Sequence, residues 1–473
     1  MAVTEVVRTV ADYIGNSKLR PWLRNSARRN ASTEASAATA QSIQDTTTDP
    51  ELLLANYTSL FIVLLANALL QFSAYVTVSS ASAYAAHLGG STVFAGLTIG
   101  IPNVLSGLLL VPVMKIDQGR YTRPLWIACA ALIVGNLLHA VAYRANFLYL
   151  ILIGRLVSGI GYVGFMYVRR YCTDPRIVGV RRRTTLASWL VIGQIFGMSA
   201  GPFICGVLYK VGFSNAVFNG FTSPGWITSS IWLLFTVAIA LLFRDLPAPL
   251  NPNTSEAIEL GPMPLPTQPP PAPQDSPLTR RQYATIFTMC YASAACFFIL
   301  GSFQFAIPIY TAVEFGYSPY AAGNFIALGG IATLPFLLAS VRYAPRFQDR
   351  VIHALGALLG LTGLLILLVV LAAGRNVFGS LFVCWVLVAL GFNLASTCTL
   401  SLLSKQLPDV KWNRRSSMAI QYSNYLGDVT GAVFGGAAVQ IGMKNYVGVL
   451  IAIVGLMGAM QIVLWRDLKA KKG

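Results

Sequence analysis

Charge is scarce in this chain. Only 11% of its residues are Asp, Glu, Lys or Arg, against about 25% in a soluble domain. Acids are scarcest, 17 against 34 basic residues. The three histidines, His87, His139 and His353, lie far apart and form no HExxH pair. The seven cysteines are scattered through apolar stretches without a CxxC. Neither a zinc site nor a disulfide framework is therefore indicated. There is no P-loop, which argues against a primary ATP-driven pump. No catalytic set and no soluble segment of enzyme size is present, so neither an enzyme nor a cofactor is expected. The first fifty residues are polar and lack the apolar core of a signal peptide. The first apolar run is expected to serve as the insertion signal.

What the chain has in abundance is apolar sequence, 55% hydrophobic with mean hydropathy +0.63. A bilayer core takes roughly 20 apolar residues per helix. Twelve such runs are readable, near 57–84, 92–114, 124–143, 146–170, 184–209, 226–243, 284–310, 320–341, 351–373, 377–404, 418–441 and 445–465. They are continuous, not alternating, which excludes a closed barrel. Of the 34 Lys and Arg, 29 fall into alternate gaps between these runs. Basic residues collect in cytoplasmic loops, so both ends are expected in the cytosol. The same rule accounts for the net charge of +17, which in a soluble chain would suggest nucleic acid.

The expected organisation is a polar, disordered segment 1–56, a six-helix bundle 57–243, a linker 244–283, a second bundle 284–465 and a basic tail 466–473. The linker is crowded with proline between Pro262 and Pro273 and reads as a semi-stiff tether. The halves look repeated: Ser91, Ala95 and Gly96 open the second run as Ser318, Ala322 and Gly323 open the eighth. Repeated halves around a mid-membrane cavity are a transporter plan. Ahead of the first run, Asp49 to Leu54 reads as an acidic dileucine sorting pattern or as an ordinary helix approach.

Arg155 is the one cation inside an apolar run. A cation in hydrocarbon costs at least about 2.5–3.5 kcal/mol, so it must face a wet cavity or bridge helices through backbone carbonyls. It lies about 13 Å deep at 1.5 Å per residue. Asp428 is the clearest intramembrane acid, at a similar depth, roughly 15 Å from the cytosolic side. The two are expected to pair when the site is empty and to part when an anion or a proton arrives, or else to form a static pair. Asn67, Gln71, Gln304 and Gln421 each offer a polar group to a central pocket or to a neighbouring helix. Arg169 and Arg170 close the fourth run at the cytosolic mouth, as topology or as a funnel for an anion. Gly193, Gly197, Gly201, Pro202 and Gly206 read as a close-packing, rocking surface.

These residues resemble motifs of the major facilitator superfamily. Arg155-x-x-x-Gly159-x-Gly161 is similar to its arginine motif. Gly201-Pro202 is similar to the motif linked to exchangers and exporters. Lys115-Ile-Asp117-Gln-Gly119-Arg120 resembles its loop signature, with one residue fewer between Asp117 and Gly119, which leaves the usual cytosolic clasp unsecured. Tyr121-Thr-Arg-Pro-Leu, Gly135-Asn136, Arg169-Arg170-Tyr171, Phe347-Gln-Asp-Arg350 and Ser401-Leu-Leu-Ser404 further resemble SPX-type vacuolar phosphate transporters and the related lysosomal branch. No SPX domain accompanies them here, so phosphate sensing is not carried over.

The resemblance implies an all-α membrane protein of twelve transmembrane helices in two pseudo-symmetric bundles, with Arg155 facing the cavity and Asp117, Arg120, Gly201 and Pro202 in conformational roles. The expectation is a monomeric secondary transporter for a small, anionic solute, driven by protons or exchange, in the plasma membrane or a vacuolar or lysosomal membrane. The alternatives are an exporter of a metabolite or drug and a transport-dead receptor or scaffold; a channel lacks a visible filter. In this reading Arg155→Ala abolishes transport and leaves folding intact.

Overall fold

The computed structural model describes residues 50–245, 279–374, 377–407 and 410–469. Segment 1–49, the proline-rich linker 246–278 and the tail 470–473 lie outside the described residues. Twelve long helices carry the fold: α1 Tyr57–Tyr75, α2 Thr92–Ile116, α3 Thr122–Ala145, α4 Tyr149–Tyr171, α5 Arg183–Val211, α6 Ser223–Leu242, α7 Arg280–Phe315, α8 Pro319–Tyr343, α9 Asp349–Ala372, α10 Phe378–Gln406, α11 Val410–Gly436 and α12 Met443–Val463. All but α11 are long and apolar enough to cross a membrane.

Each half has its own core. Leu70, Leu132, Met166, Leu186 and Trp232 pack together in the first, and Ile299, Phe325, Leu364, Val388 and Leu450 in the second. The repeat visible in sequence has a local cause. The Ser91 hydroxyl caps α2 by accepting from Phe94 N at 3.2 Å, and Ser318 caps α8 by accepting from Ala321 N at 3.3 Å. Such a cap satisfies an orphan donor of the first turn. Ala95 and Ala322 are both buried behind these caps.

Two runs differ from their expected bounds by more than five residues, and a third is interrupted. The first ends at Tyr75, and a separate short helix, Ala81–His87, follows a turn. α11 begins at Val410, before the expected 418, because the helix continues through Lys411, Arg414 and Arg415 beyond its apolar part. α4 is interrupted at Val163, between the segments Tyr149–Tyr162 and Gly164–Tyr171, with helical backbone angles at that residue.

Close approach of α7 and α11 depends on three glycines. A Cβ on Gly427, Gly431 or Gly435 would stand 2.3, 2.3 and 2.2 Å from the carbonyl oxygens of Ala294, Phe298 and Ser302. Small residues at a four-residue spacing permit this contact between membrane helices. Gly431→Ala is expected to cost about 1–3 kcal/mol, read as a lower melting temperature of the purified protein. An unchanged melting temperature would show that the two backbones separate freely.

The halves are latched at the end of the bundle where the arginine-rich loops gather, called here the basic end. Asp117, fully buried, pairs with Arg170 at 3.1 Å and accepts from Tyr167 Oη at 2.8 Å and Gly119 N at 2.8 Å. Arg414 of the other half reaches Asp117 at 3.9 Å and also donates to the Met114 carbonyl. The shortened loop therefore keeps its clasp. Arg120, expected to gate, is exposed and contributes its backbone N–H to Asp117 O at 2.9 Å; Arg170 and Arg414 supply the side chains. A second latch forms around Asp349, which pairs with Lys405 at 3.0 Å and accepts from Ser401 at 2.9 Å and, across the halves, from Thr184 at 2.8 Å. Arg183 adds a bond to the Ser404 carbonyl.

The α4–α5 loop is itself braced. Asp174 accepts from Tyr121 Oη at 2.7 Å and Arg176 Nη2 at 2.7 Å. Burial works against its charge, but these hydrogen bonds outweigh it and hold the carboxyl below the usual carboxylate range. The segment just ahead of α1 docks on the same loop: Glu51 pairs with Arg181 at 2.8 Å, and Gly179 N donates to Leu53 O at 2.9 Å.

Candidate functional site

A cleft of about 630 Å³ lies between the bundles. The wall from the first half includes Gln71, Tyr75, Asn103, Arg155, Tyr162 and Arg169; Phe297, Gln421, Asn424, Tyr425 and Asp428 come from the second. Its floor is closed by bonds between α2 and α11. Asn103 donates to Asp428 at 3.2 Å, Ser106 to Tyr425 Oη at 2.5 Å, and Tyr422 to the Gly107 carbonyl at 2.9 Å. Tyr425 also donates to the Tyr162 carbonyl at 2.7 Å. Towards the opposite end this seam loosens, and a Cβ on Gly96, Gly100 or Gly436 would meet nothing within 4 Å.

Arg155 lines this cleft, but its donors are committed. Nε bonds the Thr98 carbonyl at 3.1 Å, Nη1 the Ser73 carbonyl and Tyr162 Oη at 3.4 Å each, and Nη2 the Ala74 carbonyl at 3.3 Å. The side chain thus ties α4 to α1 and α2. Among the described residues it forms no ion pair with Asp428. Hydrogen bonds to a charged donor are worth about 1.5–3 kcal/mol each, so Arg155→Met is expected to lower stability by at least about 2 kcal/mol. This variant, like Arg155→Ala, changes the fold's stability as well as the cavity. A wild-type melting temperature would show that the guanidinium does not hold these helices.

Arg169 is where sequence and structure part. It was expected at a mouth; instead the guanidinium, carried near the end of α4, lines the cleft. Nη1 donates to Gln421 Oε1 at 3.2 Å and Nη2 to Gln194 Oε1 at 3.3 Å. Its Cζ lies 5.1 Å from the centre of the Phe297 ring, and the Asn424 amide lies against Nη1. Arg170, its neighbour, belongs to the Asp117 latch.

Two other expected pocket residues stand elsewhere. Asn67 is buried and donates to the Leu190 carbonyl at 2.6 Å, joining α1 to α5. Gln304 is buried beside Met198 Sδ at 3.9 Å. Gly201 packs against α1, where a Cβ would stand 2.9 Å from Val76 N, and the Pro202 carbonyl accepts from Ser79 at 3.1 Å. That surface also meets α8, since a Cβ on Gly323 would stand 3.4 Å from Pro202 O. The cleft tyrosines were not singled out in sequence, because an aromatic in an apolar run reads as core. Among the described residues no group of three or more His, Cys, Asp or Glu is placed to hold a metal.

Two six-helix bundles around a polar, charged cleft define a multi-pass membrane transporter. The comparisons agree: residues 63–409 match the Major Facilitator Superfamily, and the chain belongs to that family. It is 30% identical to an uncharacterized MFS-type transporter of Schizosaccharomyces pombe over 423 residues, 87% of this chain and 82% of the relative. An SPX domain-containing membrane protein of Arabidopsis thaliana is 33% identical over 193 residues, 40% of this chain and 27% of that protein. In structure, the human organic anion transporter MFSD10 (TETRAN) superposes with a TM-score of 0.64 at 13% identity, covering 85% of this chain and 98% of that one. That likeness speaks to the fold.

Proposed function

We propose that this protein is a secondary transporter for a small anionic solute, working by alternating access. In this reading Arg169 engages the anion, Gln71 and Gln421 orient it, Arg155 holds the wall, and Asp428 carries a proton or repels a second anion. The observation that supports it most is the state of Arg169. Its terminal nitrogens rest on neutral amide oxygens, and a carboxylate or phosphate makes a shorter and stronger, bidentate bond to guanidinium. A solute anion thus has something to gain there that it lacks at Arg155.

The basic end would be cytosolic, with both termini on that side, in the plasma membrane or a vacuolar or lysosomal membrane, and the protein monomeric. With the latches made at that end, the cleft would be read from the other. Export of a metabolite is the second reading, favoured by the close α5 packing at Gly201 and Pro202; accumulation of solute in cells lacking the protein would support it. The test of the main reading is uptake of radiolabelled anions into proteoliposomes, with and without a pH gradient. Flux of an anion that vanishes in empty liposomes supports it. Absence of flux for every anion tried, with folded protein present, would leave a receptor or scaffold.

A further inference from the structure

A second cavity, about 460 Å³, lies on the basic side of the first. The two share Arg169 and Phe297 in their walls and nothing else. We propose that this inner cavity is a second station for the same solute, a small oxyanion of carboxylate or phosphate type, and that Arg169 with Phe297 is the partition across which the anion is passed. The proposal rests on the anionic reading above.

Geometry carries it. The Arg169 guanidinium is divided between the chambers: Nη1 is on Gln421 of the outer one, Nη2 on Gln194 of the inner one. Phe297, buried, lies under the same guanidinium and blocks the space beside it. A rotation of one arginine side chain therefore moves the positive charge from one chamber to the other. The charge balance differs across the partition. The outer wall holds Asp428 as well as two arginines, whereas among the described residues Arg169 is the inner wall's lone Arg or Lys and no carboxylate lines it. An anion passing inward leaves an acid behind and keeps its counter-charge.

The inner station also has a door. One helical turn beyond its lining residues Ala187, Thr397 and Leu400 lie the contacts that join α5 to α10, Thr184 with Ser401 at 3.0 Å and Arg183 with the Ser404 carbonyl. Releasing that latch would open this cavity first.

The test is charge-selective labelling of Thr397→Cys in detergent, with Ser396→Cys as the second variant. Each is treated with an anionic (sulfonatoethyl) and a cationic (trimethylammonioethyl) methanethiosulfonate. Rates are normalised to a free thiol, and the added label over the parent protein is read by intact mass. The sulfonate should lead by about ten-fold, the factor that 1.4 kcal/mol of attraction gives, and Arg169→Gln should remove that lead. An unchanged ratio in Arg169→Gln overturns the proposal. So does a cysteine that neither reagent reaches at either position until the protein is denatured. Labelling does not depend on flux: a charge preference without anion transport would retain the station and remove the transport reading, whereas flux without the preference would do the opposite.

Discussion

Asp117→Ala should cost about 3–5 kcal/mol of stability, the largest single loss expected, because it leaves a guanidinium buried without its counter-charge. Arg170 has 4% of its side-chain surface exposed and Asp117 none, so water cannot replace the missing carboxylate. Tyr167 and Gly119 N lose an acceptor in the same step. The comparison that isolates the pair is Asp117→Ala with Arg170→Ala, which removes both charges and should recover a large part of the loss. Thermal unfolding of the purified variants measures it. A single variant as stable as wild type would mean that the latch is solvated. The latch also reaches Arg414 of the second half, so the same variant should raise reactivity at the basic end. The Asp349 latch offers a control, since it uses Lys405 and Thr184 and shares no residue with the first.

The helices could be read from sequence because a membrane span must be long and apolar, and eleven of the twelve are. The twelfth explains both a misplaced boundary and the position of the site. α11 carries Arg414 and Arg415 near its start and Gln421, Asn424, Tyr425 and Asp428 further on. A helix can be this polar at membrane depth when its polar side is turned to a cavity or a neighbouring half. The low hydropathy that blurred the boundary is the same property that lines the cleft. The Asp428 and Arg155 positions were likewise visible as charges in apolar runs, since ionisable groups there seldom lack a use. Which of the arginines is free to meet a solute was not visible, for it turns on where donors end up. Arg155 spends its donors on carbonyls of α1 and α2, and no periodicity reports that. Arg169 faces the cleft while Arg170 beside it joins the Asp117 latch, and nothing in the apolar run marks which of the two turns inward. Asn67 and Gln304 fit the polar pattern equally well but face neighbouring helices, a rotation of the helix that composition does not encode.

Arg169→Gln should abolish anion transport while leaving the fold intact, and this is the sharpest expected functional effect. The two amide acceptors of Arg169 can be met by a neutral side chain and the latches at the basic end are untouched, while the buried Asp428 loses the positive charge of Arg169 beside it. What it removes is the positive charge offered to the solute. Truncating one partner of a buried charge-assisted pair costs about 2–5 kcal/mol, a loss in affinity of roughly 30-fold to several thousand-fold at 1.4 kcal/mol per decade. Arg169→Lys should recover part of it, since the charge stays and the bidentate fork is lost. Asp428→Asn separates the two roles in the cleft. It keeps the hydrogen-bonding shape beside Asn103 and removes the ionisable group, so anion exchange down a gradient should persist while accumulation driven by a pH gradient is lost. Flux in proteoliposomes under both conditions measures each arm. Wild-type flux in Arg169→Gln would remove this arginine from the path, and the anionic reading with it. Proton-driven accumulation that survives in Asp428→Asn would assign coupling to another group and leave Asp428 as a structural partner of α2.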